Sequence, residues 1–322
     1  MRVANGEGRL QLPVLIIHND AWQESEHELR TDVPTDASLA ERLANGEFIV
    51  APGVFDLISA KIADGYGFRA LYMTGYGVVA SSLGLPDAGL ASYTEMVDRV
   101  AKIARATRTP VIADGDTGYG GLLNVDQTVR GYEQAGAAGI QLEDQEFPKK
   151  CGHTPRRRVI PRDDMVAKVA VAVAARSTEN FLIVARTDAR TALGLAEAIA
   201  RGQAYAEAGA DVVFIEAPES REEMRQIGRE IDKPLLANLV DGGSTPLLSV
   251  AELQEIGYQL AIFPATAFLA MGAAMQAVYA HLKATGSSLG LQTPLYDFGE
   301  FSALMGFEQV WAFERRWVRD PE

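Results

Sequence analysis

The chain is 322 residues long and 48% apolar, enough to bury a sizeable core as one large α/β barrel or as two smaller domains. Its formal net charge of −13 comes with no basic run long enough to track phosphates, which argues against nucleic acid as a partner. A single cysteine excludes an internal disulfide framework and a cysteine-based zinc site, and fits a reducing cytoplasm.

Residues 1–36 read as an irregular arm. Their opening, MRVANGEGRLQLPVLIIHND, is broken by Glu7 and Arg9 and has too short an apolar run for a secretory signal. From position 48 onward, short β-branched or aromatic runs end in small or acidic residues: FIVAPG (48–53), ALYMTG (70–75), PVIADGD (110–116), GIQLED (139–144), FLIVARTD (181–188), DVVFIEA (211–217), PLLANL (234–239) and QLAIFPA (259–265). Between them lie alanine-rich segments with helical period, such as TEMVDRVAKIARA (94–106) and LAEAIARGQAYAEAG (195–209). Eight strands apolar on both faces, alternating with helices, predict a parallel sheet closed as a (β/α)₈ TIM-type barrel over residues 37–286. An open doubly wound sheet is the alternative, but no glycine-rich nucleotide fingerprint follows the first strand.

Residues 260–280, LAIFPATAFLAMGAAMQAVYA, are uncharged and long enough to cross a bilayer. Pro264, Thr266 and Gln276 interrupt them, so they read as a buried strand followed by a packed helix, with no membrane partner. After a Gly/Pro break, residues 287–322 return to a helical pattern. Leu304, Phe307, Val310, Trp311 and Phe313 there make an apolar face too rich for water, which is expected to pack on a neighbouring subunit.

Acids collect at the C-terminal ends of these strands. Asp114 and Asp116 follow the third, Glu143 and Asp144 the fourth, Asp188 the fifth and Glu216 the sixth, while Asp87 lies in the loop GLPDAG beyond the second. Any one of them also fits a helix cap. Several on one rim would repel one another unless a cation relieves them, and an all-oxygen set without histidine suits Mg²⁺ or Mn²⁺ better than zinc. Arg186 is placed to pair with one of these acids or to fork a substrate carboxylate. Tyr72, Thr74 and Asn238 bring hydroxyl and amide groups to the same end. In the long connection after the fourth strand, Lys149, Lys150 and His153 flank Cys151 and favour its thiolate, and Gly152 lets the chain turn beside it. A proton donor beside a metal-held carboxylate substrate suggests carbanion chemistry.

The segments GVFD, MTG, GLPDAG, ADGDTGYG, EDQ with KKCGH, ARTDA and FIEAP, in that order, resemble the isocitrate lyase and phosphoenolpyruvate mutase superfamily over about residues 40–315. The KKCGH loop is similar to its carbon–carbon lyase branch, which includes methylisocitrate, isocitrate and dimethylmalate lyases and oxaloacetate hydrolase. The resemblance implies Asp87, Asp114 and Asp116 around Mg²⁺ with Glu143 and Glu216 as supporting carboxylates. It implies substrate contacts from Thr74, Gly75 and Tyr76 as a carboxylate-binding loop, and from Lys149, Gly152, Arg186, Glu216 and Asn238. Cys151 is implied as the acid that protonates the leaving carbanion, with Tyr72 or a metal-bound water taking the hydroxyl proton and Arg186, Glu143 and His153 alongside. The family's habit further implies a homotetramer with its last barrel helix exchanged between subunits.

The chemistry so implied is a retro-Claisen or retro-aldol cleavage of a 2-hydroxy di- or tricarboxylate. Hydrolysis or decarboxylation of oxaloacetate is the alternative, and phosphonate-type mutase chemistry a minor one. The chain departs from its relatives at Tyr76, where many have a small residue, at Gln141 in place of histidine, and at NLVDGGSTP (238–246). These departures favour a smaller substituted malate over a tricarboxylate.

Overall fold

The computed structural model describes residues 37–152, 154 and 156–318. The arm at residues 1–36 and His153 lie outside them. The strands are β1 (Ile49–Val54), β2 (Leu71–Met73), β3 (Val111–Asp114), β4 (Gly139–Glu143), β5 (Leu182–Thr187), β6 (Val212–Ile215), β7 (Leu236–Asn238) and β8 (Leu260–Phe263). The helices are α1 (Leu39–Ala44), α2 (Leu57–Asp64), α3 (Gly75–Leu83), α4 (Tyr93–Ala106), α5 (Leu122–Gln134), α6 (Arg162–Ala175), α7 (Ala189–Leu193), α8 (Leu195–Glu207), α9 (Arg221–Glu230), α10 (Val250–Glu255), α11 (Thr266–Thr285), α12 (Phe298–Leu304) and α13 (Phe307–Trp317).

All eight expected strands are present, seven of them shorter than their apolar run and β1 shifted by one residue, and all pair in parallel in the order β6-β5-β4-β3-β2-β1-β8-β7. The ring closes between the two ends of that order through a single parallel bridge, Val213 to Leu235, with the Val213 N–H donating to the Pro234 carbonyl at 2.9 Å. Pro234 has no N–H to give, so this seam is the thinnest of the barrel. The result is a (β/α)₈ barrel whose strands are buried on both faces, which is why they read as continuous apolar runs.

Side chains such as Ile49, Tyr72, Ile112, Val184, Phe214, Leu236 and Ile262 fill the barrel interior. The helices cover the outside with their apolar faces, as α4 does with Met96, Val100 and Ile103. Ser92 opens that helix with a reciprocal cap: its backbone N–H donates to Glu95 at 2.7 Å and its hydroxyl accepts from the Glu95 N–H.

The uncharged stretch at 260–280 divides as expected into β8 and the start of α11, and among the described residues no helix is long and apolar enough to cross a membrane. None of the residues of α11, α12 or α13 is buried. Leu269, Met275, Tyr279, Phe298, Phe307, Trp311, Phe313 and Trp317 all lie exposed on them. The register of neighbouring strands sets Asp114 beside Gln141, and Glu143 beside Arg186 and Phe214 in turn, which brings these groups to one end of the barrel.

Candidate active site

The C-terminal ends of the strands surround a cavity of about 290 Å³. Tyr72, Thr74, Tyr76, Asp87, Asp114, Glu143, Lys149, Cys151, Gly152, Arg186 and Asn238 line it, so most of the residues expected at the site converge there. Gly75, Asp116 and Glu216 stand behind the lining. A wall of Tyr76, Val240, Ile262, Pro264, Phe268 and Leu269 completes the enclosure.

Thr74 caps α3, its hydroxyl accepting from the Gly77 N–H at 3.5 Å, and so aims the first turn of that helix at the cavity. A helix N-terminus favours an anion. Position 75 has to be glycine, because a Cβ there would come within 2.5 Å of Asp114 Oδ2. Asp114 is further held by the Asp116 N–H at 3.0 Å and Gln141 Nε2 at 3.4 Å, and its backbone carbonyl accepts from Tyr132 at 3.1 Å. Asp116 itself sits in the left-handed region at φ 48°, a conformation aspartate tolerates better than most residues.

Lys149 reaches in from the connection after β4, with its ammonium 2.5 Å from Asp87 and 2.6 Å from Asp116. Lys149 thus neutralises carboxylates at the rim. Burial works against the Lys149 charge, but Asp116 and Asp87 outweigh it and hold the group well above its ordinary range. Burial pushes Asp116 up to about 7 against the pull of Lys149, with Asp114 and Asp87 adding repulsion. Burial likewise lifts Glu143 well above the usual carboxylate range, although Arg186 pulls the other way.

Arg186 is the centre of the opposite side. It forks onto Asp188, Nε to Oδ2 at 2.9 Å and Nη2 to Oδ1 at 3.0 Å, and lies 3.4 Å from Glu143 and 3.5 Å from Glu216. Its guanidinium also covers the face of Phe214, 5.2 Å from the ring centre. Asn238 donates to Glu216 at 3.1 Å.

The rim acids therefore divide. Asp144 is fully buried and accepts from Thr187, Tyr205, Arg201 and the Asp188 N–H, so it serves the fold rather than the cavity. Tyr72 is tied into the same network as Gln141 and Asp114. Its hydroxyl donates to Gln141 Oε1 at 2.9 Å, and burial, helped by Asp114, raises the phenol well above its usual range.

Cys151 lies half-buried on the cavity wall, its N–H bonded to the Asp87 carbonyl at 3.1 Å and its carbonyl accepting from the Thr154 hydroxyl at 2.7 Å. Gly152 packs directly on the opposite group, since a Cβ there would fall 2.5 Å from Arg186 Nη2. Two contributors escape sequence reasoning. Arg157 is one of three consecutive arginines, and nothing local marks which of them turns inward. Phe268 belongs to an apolar run that gives no sign of facing a cavity.

A family model described as phosphoenolpyruvate phosphomutase matches residues 39–283. The chain is 47% identical over 284 residues to the 2,3-dimethylmalate lyase of Eubacterium barkeri, a match spanning 88% of this chain and 98% of that one. The chain belongs to the phosphoenolpyruvate mutase and isocitrate lyase superfamily. Within that superfamily it is a carbon–carbon lyase. Among solved members, oxaloacetate acetylhydrolase with the inhibitor 3,3-difluorooxalacetate superposes at a TM-score of 0.81 and 36% identity, covering 86% of this chain and 95% of that one. Phosphonopyruvate hydrolase with oxalate and Mg²⁺ gives 0.78 and 30%, covering 87% and 98%.

The superfamily's divalent-metal dependence can be tested against the residues present. As the side chains stand, no three His, Cys, Asp or Glu among the described residues converge with metal-ligand spacing, because the Lys149 ammonium lies between Asp87 and Asp116. Charge and donor type nevertheless suit a hard cation. Asp87, Asp114, Asp116, Glu143, Asp188 and Glu216 outnumber the cations that touch them, Lys149, Arg157 and Arg186. The buried Glu143 Oε1 has no hydrogen-bond partner. A surplus of buried carboxylate oxygen is what Mg²⁺ would relieve.

Proposed function

We propose that this lyase cleaves the C2–C3 bond of an alkyl-substituted malate, giving a 2-oxo acid and a second carboxylate fragment. The observation that carries the substrate class is the two-sided cavity, with cationic and hydrogen-bonding groups on one side and the wall of Tyr76, Phe268 and Leu269 on the other. Tyr76 and Phe268 meet edge to face with ring centres 5.2 Å apart, forming a broad apolar surface that suits methyl or ethyl branches.

Arg186, Thr74, Asn238 and the first turn of α3 hold the carboxylate and hydroxyl of C2. Mg²⁺, held by Asp87, Asp114 and Asp116 with Glu143 and Glu216 in support, would draw charge from that end when bound. Glu143, a buried carboxylate 3.4 Å from Arg186 whose Oε1 has no hydrogen-bond partner, suits the task of accepting the hydroxyl proton. As the C2–C3 bond breaks, its electron pair passes to C3, and the Cys151 S–H supplies the proton that completes the second fragment. Gly75 and Gly152 admit the close approach of backbone that both ends require. His153 joins the same loop in this reading, and Tyr72 orients Gln141 and Asp114.

The exposed apolar faces of α11, α12 and α13 support a homotetramer that exchanges its C-terminal helices, with 37–286 as the barrel and 287–322 as the extension. A cytoplasmic site suits its thiol.

Incubation with Mg²⁺ and, separately, 2,3-dimethylmalate, other alkylmalates, 2-methylisocitrate, isocitrate and oxaloacetate, followed by NMR, tests the reading. A 2-oxo acid and its partner carboxylate are expected from the alkylmalates, and EDTA is expected to abolish both. The structural similarity to oxaloacetate acetylhydrolase supports a second reading, and acetate with oxalate from oxaloacetate alone would establish it instead. Phe268→Ala is expected to lower kcat/KM for dimethylmalate about 10- to 100-fold while leaving malate, if turned over, nearly unchanged, the scale of a lost apolar contact. Equal losses on both would remove the wall from the specificity account.

A further inference from the structure

Residues 156–158 are three consecutive arginines, a few positions beyond Cys151 in the same connection. They meet different fates. Arg158 stays in solvent beside Glu146, its side chain 79% exposed, whereas the side chain of Arg157 is only 2% exposed. Arg157 Nη1 donates to Asp188 Oδ1, Nη2 to the Thr191 hydroxyl at 2.7 Å, and Nε to the Thr154 carbonyl at 3.1 Å. All three sides of its fork are used.

Asp188 is the same carboxylate that receives Nε and Nη2 of Arg186. One fully buried acid thus joins the guanidinium at the cavity to a guanidinium of the cysteine-bearing loop. Gly152 closes the circuit from the other direction, because its backbone lies directly against Arg186 and Glu216. A loop seated wrongly would leave Asp188 with one cation and room to rotate, and Arg186 would turn with it.

We infer that Arg157 is a positioning residue, which sets Arg186 through Asp188 and seats the Cys151 loop through Thr154, so that cation and acid reach their places together. The inference rests on the lyase reading for its catalytic readout. Misplacing a reacting group by about 1 Å can cost on the order of 100-fold in rate, and two groups are displaced at once here.

The test uses the full-length protein with Mg²⁺ and the best alkylmalate of the panel, in D₂O. The wild type is expected to place deuterium on one face of the protonated carbon. Arg157→Gln is expected to lower kcat about 100-fold with a smaller change in KM, and to spread deuterium over both faces as water replaces the thiol. Arg157→Lys should recover part of the rate, since it restores the charge without the fork. Thr191→Val, at an exposed position that endangers no fold, should lose about two- to tenfold, the worth of one hydrogen bond. Trypsin should also cut after Lys149 and Lys150 faster in Arg157→Gln than in the wild type.

Wild-type rate and single-face labelling in Arg157→Gln would overturn the inference. So would a rate loss accompanied only by a lower Tm, with single-face labelling and unchanged cleavage. If the wild type releases no product from any substrate, the lyase reading falls and the trypsin comparison alone decides the role of Arg157.

Discussion

Cys151→Ala is expected to retain about 10⁻² to 10⁻⁴ of the wild-type turnover while binding a 2-oxo acid or oxalate as tightly as before, the usual scale for removing a positioned general acid. The side chain is half-buried on the cavity wall, so its loss leaves no deep void. The loop is fixed there by backbone and by neighbours, through the Cys151 N–H to Asp87, Lys149 to Asp87 and Asp116, and the Thr154 contacts. Arg186, Thr74 and Asn238 remain in place to bind the oxo-acid end. Cys151→Ser should be nearly as inactive, because an alcohol is a far weaker acid than a thiol at the same position. Steady-state rates by NMR, with calorimetric titration of oxalate, measure the two effects separately. Turnover above one-tenth of the wild type in the alanine variant would show that another group protonates the fragment.

Arg186→Met is expected to abolish turnover and to destabilise the fold by about 3–5 kcal/mol, because removing one partner from a buried pair leaves uncompensated charge. Three acids lose a cation at once: Glu143, Asp188 and Glu216, which are 2%, 0% and 0% exposed. For a chain of this size each kcal/mol lowers Tm by about 2–4 °C, which puts the expected loss at roughly 6–20 °C. The loss has a pH dependence whose sign is set by Glu143. Burial already raises its affinity for a proton, and Arg186 is the largest influence opposing that rise. Without Arg186 the folded-state value climbs further above the unfolded one. A group raised on folding contributes its stability at low pH and loses it as pH rises through the folded value. The Tm gap between variant and wild type should therefore narrow as pH falls from 8 to 5. Arg186→Lys should recover part of the stability and little of the rate, since a point charge cannot reproduce the fork onto Asp188. A gap that stays constant across that range would mean that the three acids are compensated from elsewhere.

The barrel is legible in the amino-acid pattern alone. Strands buried on both faces must be apolar throughout, and helices covering them must repeat with the helical period, so both are written within a few neighbouring residues. The place where the chemistry gathers is legible too, because residues at the C-terminal ends of parallel strands share one rim whatever their partners are. Packing in three dimensions selects which of those residues remain available. Asp144 and Glu143 are adjacent, yet Asp144 is consumed by Arg201 and Tyr205, residues 57 and 61 positions further along the chain, while Glu143 faces the cavity. Lys149 looks like a neighbour of Cys151 and is in fact the counter-ion of Asp87, 62 positions away. Tyr72 carries a hydroxyl to the rim but commits it to Gln141 across the sheet. The same holds for Arg157, indistinguishable from Arg156 and Arg158 until Asp188 and Thr191 are beside it. Backbone preference is local and period-bound. The pairing of buried charges is chosen by proximity in space, with the desolvation penalty favouring a partner for each, and pairs such as Lys149–Asp87 and Arg201–Asp144 join residues that no local window of sequence contains.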